Sequence, residues 1–302
     1  MKVIYRLKEI RGFKNSVVTL GVFDGVHRAH HKILKAVVEK AKEIKGTSLV
    51  VTFWPDPHKD LSLYSLQDRL RLIEKLGIDV CVVIRFNKRF ALISPEDFIK
   101  EILIKRIGAK YIYVGQNFRF GRNREGDLRL LQRLSCIYNF KVKIFKLMKI
   151  KKHTISSSTI RKLIAQGKLE IAQKMLFTPV TISGVVIKGT SFGKRLGFPT
   201  ANISPYHQII PPNGVYAVRV ILEQRSLDGI CYIGTKPTFK RQRIKPYIEV
   251  HLFNFSQDIY GRKLMIQFIK KIRNEKRFSS CVSLAEQIRK DILQTKRLFS
   301  SA

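Results

Sequence analysis

The chain has 302 residues, enough for two domains of ordinary size, and its hydrophobic content of 45% can supply a core for each. Its formal charge is +36, from 58 Lys/Arg against 22 Asp/Glu, a field that draws nucleic acid, anionic membrane and phosphorylated ligands alike and selects none of them. No apolar run reaches the ~18 residues of a membrane span, and the charged N-terminus lacks a signal-peptide core. The four cysteines (Cys81, Cys136, Cys231, Cys281) form no C-x-x-C pair, which argues against a zinc finger or a disulfide scaffold and for reduced thiols in the cytoplasm. The basic excess is spread evenly, 37 Lys/Arg against 15 Asp/Glu up to residue 180 and 21 against 7 beyond it. A dedicated nucleic-acid binder would concentrate its charge on one face or tail, so only non-specific binding of RNA or DNA is expected.

In chain order, the first part alternates strand-like and helical runs, an α/β signature. Strands are predicted over 17–23, 49–53, 80–86, 111–115 and 141–148. A helix runs over about 27–44 and stops at Gly46. Another starts at Ser94 as N-cap, with Pro95 in the first helical position. Helices over 158–165 and 170–176 follow. Past Thr178-Pro179 short β-rich runs take over, at 180–187, 214–222, 229–233, 248–255 and 263–272. They are separated by turn signals such as Pro211-Pro212-Asn213-Gly214 and suggest a small barrel. A closing helix is expected from the capping box Ser283-x-x-Glu286. The domain boundary is expected near residue 178, giving domains 1–178 and 179–302.

In the first half, Gly21-Val-Phe23-Asp24-Gly25-Val-His27-Arg-Ala-His30 lies where a strand turns into a helix. Helix N-termini favour anions, and His27 and His30, three apart, share one face of the first turn. Two imidazoles there can donate to a triphosphate as pyrophosphate departs; a pair of surface histidines is the alternative. Asn117 and Arg119, set among aromatics and glycines after a strand, can hold a planar ring and a phosphate, or form an ordinary loop. Ser156, Ser157, Ser158 and Thr159 with Arg161 open the next helix and suit phosphate, although N-capping alone would need only one of those hydroxyls.

In the second half, Gly189, Gly193 and Gly197 recur every four residues around Lys194 and Arg195, before Pro199, Thr200 and Asn202. Backbone without Cβ approaches an anion closely. Thr200 and Asn202 fall on one face of an extended segment and offer two hard oxygens of the kind Mg²⁺ accepts. A Gly-rich turn between strands remains open as the other reading. Glu249 shares a strand face with His251, where it can deprotonate a hydroxyl for attack on a γ-phosphate, or be a salt-bridged surface residue. Arg273 to Phe278 (RNEKRF) places charges beside a second flap, or simply in solvent.

With these residues assembled, the chain resembles the bacterial bifunctional riboflavin kinase/FMN adenylyltransferases over about residues 15–295. The first half resembles them through LGVFDGVHRAH, VTFWPDP, VGQNFRFG and ISSSTIR, the second through GVVIKGTSFGKRLGFPTAN, NGVYAV, IGTKPTF, IEVHLFNF and IRNEKRF. The resemblance implies a Rossmann-like nucleotidyltransferase domain followed by a β-barrel kinase domain. It implies riboflavin, FMN and ATP as substrates with Mg²⁺ as cofactor, and no membrane partner. It places Gly21, Phe23, Asp24, His27, His30, Asn117, Arg119, Ser157, Ser158 and Arg161 at the ATP of the adenylyltransferase. Gly189, Gly193, Lys194, Thr200 and Asn202 fall at the Mg²⁺–ATP of the kinase, Glu249 at its base, and Arg273 and Phe278 at the flavin. Four positions depart from the family pattern: Ala29 for glycine in H-x-G-H, Asp56 for histidine, Ser158 for threonine and Tyr232 for asparagine. Ala29 raises a second reading, a riboflavin kinase whose N-terminal domain has degenerated.

Overall fold

The structure, a computed structural model, describes residues 1–57, 61–189, 192–235 and 246–300. Residues 190–191 of the glycine-rich run and 236–239 of IGTKPTF lie outside the described residues. The chain divides into two compact units, Met1–Ser62 with Leu66–Ser157, and Leu63–Ser65 with Ser158–Ala302.

The first unit is built on six strands: β1 (Lys2–Ile4), β2 (Ser16–Leu20), β3 (Ser48–Trp54), β4 (Val80–Arg85), β5 (Ala109–Gly115) and β6 (Lys141–Phe145). Their order is β1-β4-β3-β2-β5-β6 and every neighbouring pair is parallel. All five residues of β2 are buried. A strand covered on both faces reads as a continuous apolar run instead of an alternation, which is why the sequence marks it so clearly. One face is covered by α1 (Arg28–Glu43), which buries Ile33, Leu34, Val37 and Ala41, and by α2 (Leu66–Lys75). The other carries the helical stretch from Pro95 to Ile107, hydrogen-bonded as a π-helix from Phe98, and α3 (Leu128–Tyr138). The sheet order reverses between β2 and β5, and at such a switch point the loops leaving the strands' C-terminal ends open a crevice.

The expected strand over 17–23 ends at Leu20. Phe23 turns into a left-handed conformation with φ 54° and buries its ring against His30, 5.0 Å between centroids. The expected strand over 141–148 likewise stops at Phe145, and the two-residue strands β7 (Lys149–Ile150) and β8 (His153–Thr154) form a small hairpin beyond it. Ser94 caps its helix as expected, accepting from the Asp97 N–H at 3.0 Å.

The second unit begins with α4 (Ser157–Ala165, its first residue still in the first unit) and α5 (Leu169–Leu176). Gln173 of α5 donates to the Phe268 carbonyl at 2.7 Å. Six antiparallel strands then close a barrel: β9 (Val180–Ile187), β10 (Ala201–Pro205), β11 (Gly214–Leu222), β12 (Arg225–Thr235), β13 (Pro246–Leu252) and β14 (Lys263–Arg273), in the order β10-β13-β12-β11-β14-β9. β10 closes the barrel by pairing with both β9 and β13. It passes so near β9 that an ideal Cβ on Gly184 would lie 2.5 Å from the Ser204 carbonyl oxygen and 2.6 Å from Ile203 Cγ2. The closing helix α6 (Cys281–Ser300) starts earlier than the sequence suggests. Ser280 and Ser283 exchange hydrogen bonds, Ser283 N–H to Ser280 Oγ at 3.1 Å and Ser280 N–H to Ser283 Oγ at 3.3 Å, so the capping residue is Ser280 and the expected Ser283–Glu286 box is corrected.

The Gly184 contact gives a test of barrel closure. Gly184→Ala forces a methyl against backbone and should cost about 1–3 kcal/mol, read as a lower urea midpoint of the barrel's unfolding transition; an unchanged midpoint would show that β9 and β10 do not meet this closely.

Candidate active sites

In the first unit the chain leaves β2 at Gly21 and re-enters regular structure at α1. Between them Phe23 and Val26 both hold positive φ, 54° and 37°, conformations that cost a side-chain-bearing residue free energy and persist only where neighbours enforce them. The enforcement is visible. The Val22 carbonyl accepts from Thr52 Oγ1 at 3.0 Å and from Arg69 Nη1 at 2.6 Å, and the Asp24 carbonyl accepts from Ser157 Oγ at 2.8 Å. Arg69 is fully buried on α2, against the Trp54 ring at 5.8 Å, and its Nε and Nη2 have no hydrogen-bond partner among the described residues. Burial pushes its pKa down, while the carboxylates of Asp24 and of Asp56, where the family pattern has histidine, hold it up. The sequence offered no sign of this residue's importance, because an arginine in a helix reads as solvated.

His27 caps α1. Its Nδ1 accepts from the His30 N–H at 3.4 Å, so the ring proton resides on Nε2. The two imidazoles are stacked, 3.6 Å between centroids and 13° between planes. Burial lowers the His27 pKa to about 4 and that of His30 well below its ordinary value, the charges of His27, Arg69 and His31 adding to the latter. Both rings are therefore neutral near pH 7 and offer single N–H donors, not positive charge. Ala29 stands in the first turn of α1 and outside the left-handed region, so the backbone itself does not require glycine there.

At the switch point, Gly21, Asn117 and Arg119 line a cavity of about 450 Å³ whose walls are Phe53, Phe86, Phe90, Phe98 and Phe118. Arg119 pairs with Asp127 at 3.5 Å. The structure thus groups Phe23, Asp24, His27, His30 and Ser157 at the loop, and Gly21, Asn117 and Arg119 at the aromatic cavity. Ser158 and Arg161 fall in the second unit, where Arg161 Nη2 donates to Ser158 Oγ at 3.5 Å.

In the barrel, one cross-strand rung carries the candidate residues. The register pairs Ile187 with Asn202, Asn202 with Glu249, Glu249 with Tyr232, Tyr232 with Val215, and Val215 with Arg273. Directly opposed residues point to the same face. Here it is the face opposite Ile248 and Val250, both of which are buried. Tyr247 donates its hydroxyl to Glu249, and His251 Nδ1 donates to the Pro199 carbonyl at 2.8 Å. Glu249 and His251 line a cavity of about 320 Å³ with Thr200, Tyr232, Arg273 and Phe278. A second cavity, about 440 Å³, runs along Lys194, Pro199, Thr200 and Ala201 to Tyr260, and Thr200 is a wall of both.

Gly193 is dictated by packing against backbone, and the space beside Gly189 is filled by the Asn202 side chain. An ideal Cβ on Gly189 would lie 1.9 Å from Asn202 Nδ2, and one on Gly193 would lie 2.5 Å from the Phe198 carbonyl oxygen and 3.0 Å from Thr200 Oγ1. The run is thus folded tightly onto the two oxygen-bearing residues. Arg273 spends its guanidinium on Asp291 of α6, with Nε at 3.0 and 2.9 Å from the two carboxylate oxygens and Nη2 at 2.9 Å. It also lies over Phe278, 5.7 Å away. Among the described residues no group of three or more His, Cys, Asp or Glu could hold a metal ion, and no helix is long and apolar enough to cross a membrane.

A parallel α/β unit with its loop and cavity at the switch point, and a closed six-stranded barrel with two cavities sharing a wall, make a two-domain protein with a candidate site in each domain. Comparison with known proteins specifies it. A family model described as FAD synthetase matches residues 10–159 and one described as riboflavin kinase matches residues 176–299. Proteins named bifunctional riboflavin kinase/FMN adenylyltransferase are similar over nearly the whole chain. That of Buchnera aphidicola subsp. Schizaphis graminum is 41% identical, covering 98% of this chain and 97% of its own. That of Escherichia coli K12 is 37% identical over 97% and 98%, and that of Bacillus subtilis 37% over 95% and 93%. A crystal structure described as a macrolide-efflux protein from Streptococcus pneumoniae superposes with a TM-score of 0.86 at 28% identity, over 97% of this chain and 98% of that one. The chain belongs to the family of bifunctional riboflavin kinase/FMN adenylyltransferases.

The lowered His27 pKa makes the first unit acid-sensitive. A histidine with pKa 6.5 unfolded and about 4 folded binds more protons when unfolded. Its contribution is complete above pH 6.5 and is lost as pH falls towards 4, by up to about 3 kcal/mol. His27→Gln should flatten the dependence of unfolding free energy on pH between 6.5 and 4; a variant as steep as the natural chain would show that His27 is not buried neutral.

Proposed function

We propose that the chain phosphorylates riboflavin to FMN in the barrel and adenylylates FMN to FAD in the α/β unit, with the functional boundary at residue 178. The observation that carries the kinase assignment is Thr200, the common wall of two cavities, with Glu249 lining one of them and Lys194 the other. ATP occupies the cavity along Lys194 and Thr200, and riboflavin the one bounded by Glu249, Arg273 and Phe278. The Glu249 carboxylate, oriented by Tyr247, takes the proton of the ribityl 5′-hydroxyl. That oxygen then bonds to the γ-phosphorus, and ADP leaves. Arg273, fixed by Asp291, shapes the flavin side through Phe278.

Thr200 Oγ1 and Asn202 Oδ1 are the neutral hard oxygens that Mg²⁺ takes alongside substrate phosphates and water, and such a site needs no carboxylate cluster. When bound, Mg²⁺ supplies charge neutralisation for the transferring phosphate. Gly189 and Gly193 allow the backbone to approach it.

In the first unit, the His27 Nε2–H and the ring of His30 donate to the phosphates of ATP, and negative charge builds on the departing pyrophosphate as an FMN phosphate oxygen bonds to the α-phosphorus. Gly21, Phe23, Asp24 and Ser157 shape that loop. Asn117 and Arg119, which line the phenylalanine-walled cavity, hold the second nucleotide; Ser158 and Arg161, also expected at the ATP, fall in the second unit. Both halves match their family models, so the reading with a degenerate first half is not favoured. The four thiols are free and two of them, Cys81 and Cys231, are buried, as suits the reducing cytoplasm. The +36 charge belongs to the surface as a whole, and nucleic acid binds to it non-specifically at low salt.

Incubation with riboflavin, ATP and Mg²⁺ should yield FMN and then FAD, and accumulation of FMN with no FAD would refute adenylyl transfer. His27→Ala should lower FAD formation by about 10²–10³-fold while FMN forms at the natural rate. Ala29→Gly should change the FAD yield by less than about threefold, since the backbone there accepts either residue and glycine costs the helix only about 1 kcal/mol.

A further inference from the structure

The rung that carries Glu249 also carries Tyr232, where the family pattern has asparagine. Its phenol donates to Glu275 Oε1, and the other carboxylate oxygen accepts from Asn213 Nδ2 at 2.9 Å. Three segments therefore meet at one carboxylate: β12, the entrance to β11, and the stretch between β14 and α6. That last stretch carries Lys276 and Phe278, which line the same cavity as Glu249. The ring fills the space beside Gly234, where an ideal Cβ would lie 2.2 Å from the Tyr232 hydroxyl oxygen and 2.5 Å from Cζ. Burial, then the hydrogen bond to Glu275, pushes the phenol pKa up, and it stays a donor at neutral pH.

We infer that Tyr232 is a positioning residue of the kinase reaction: through Glu275 it latches the strap carrying Lys276 and Phe278 across the flavin cavity and so sets the affinity for riboflavin. An asparagine side chain is too short to reach where the phenolic oxygen stands, so this latch belongs to chains with tyrosine here. A hydrogen bond to a charged group across the cavity mouth holds the strap in its binding arrangement without touching the transferring phosphate. Its loss should therefore weaken riboflavin binding and leave the chemical step intact.

The inference rests on the kinase reading, and the test separates the two. Tyr232→Phe removes only the hydroxyl. In the full chain it should raise both the KM for riboflavin and the Kd read from riboflavin fluorescence about tenfold, with kcat and the FAD yield from supplied FMN unchanged. Glu275→Gln should act in the same direction, and the double variant should be no worse than the poorer single variant, because both remove one interaction. A KM unchanged in Tyr232→Phe, a loss confined to kcat, or effects that multiply in the double variant would overturn the latch. Absence of FMN from the natural chain would instead refute the kinase reading beneath it. A merely structural tyrosine would lower the urea midpoint and reduce active protein without moving KM, and that result too would overturn the latch.

Discussion

The barrel's function depends on one pairing, that of β10 with β13. β10 is five residues long, yet it closes the barrel and sets Asn202 directly opposite Glu249. The register then continues without a slip to Tyr232 and Val215. A shift of one residue would turn every one of these side chains to the other face. At Gly184 β9 and β10 approach too closely to leave room for a Cβ against the Ser204 carbonyl. Asn202, Glu249, Tyr232 and Val215 thus stand in one row through a single alignment of strands.

The α/β unit solves a different problem. Its loop after β2 includes two left-handed side-chain-bearing residues, Phe23 and Val26, and it is pinned by hydrogen bonds to the carbonyls of Val22 and Asp24. The buried guanidinium of Arg69 supplies one of those bonds and carries a charge beside His30, one cause of the neutral imidazole there. The two stacked imidazoles are neutral near pH 7, and each keeps one N–H. Strain in the backbone and burial of the rings are therefore two consequences of the same packing beneath the sheet's switch point.

Much of this was legible in the sequence, and the exceptions have physical causes. Strands β9 and β11 take the predicted bounds, 180–187 and 214–222, because turn signals flank uninterrupted β-rich runs. Alternation alone placed Glu249 and His251 on one face, and the structure keeps them there. It could not show that Asn202 and Tyr232 stand opposite Glu249, since register is a property of pairs of strands. Arg69 escaped notice because its burial depends on carbonyls brought near by folding, and the phenylalanine-lined cavity because its rings come from separate loops and helices. The cap of the last helix was misplaced by three residues, since Ser280 and Ser283 are equally good candidates until the backbone chooses between them.

Two chemistries in one chain, with the kinase built on the rung through Glu249, are tested most directly by product formation in Glu249→Gln, supplied with ATP and Mg²⁺ and either riboflavin or FMN. No FMN from riboflavin and a natural yield of FAD from FMN are expected. FMN formation at the natural rate, or loss of both products in a variant that unfolds like the natural chain, would contradict that assignment.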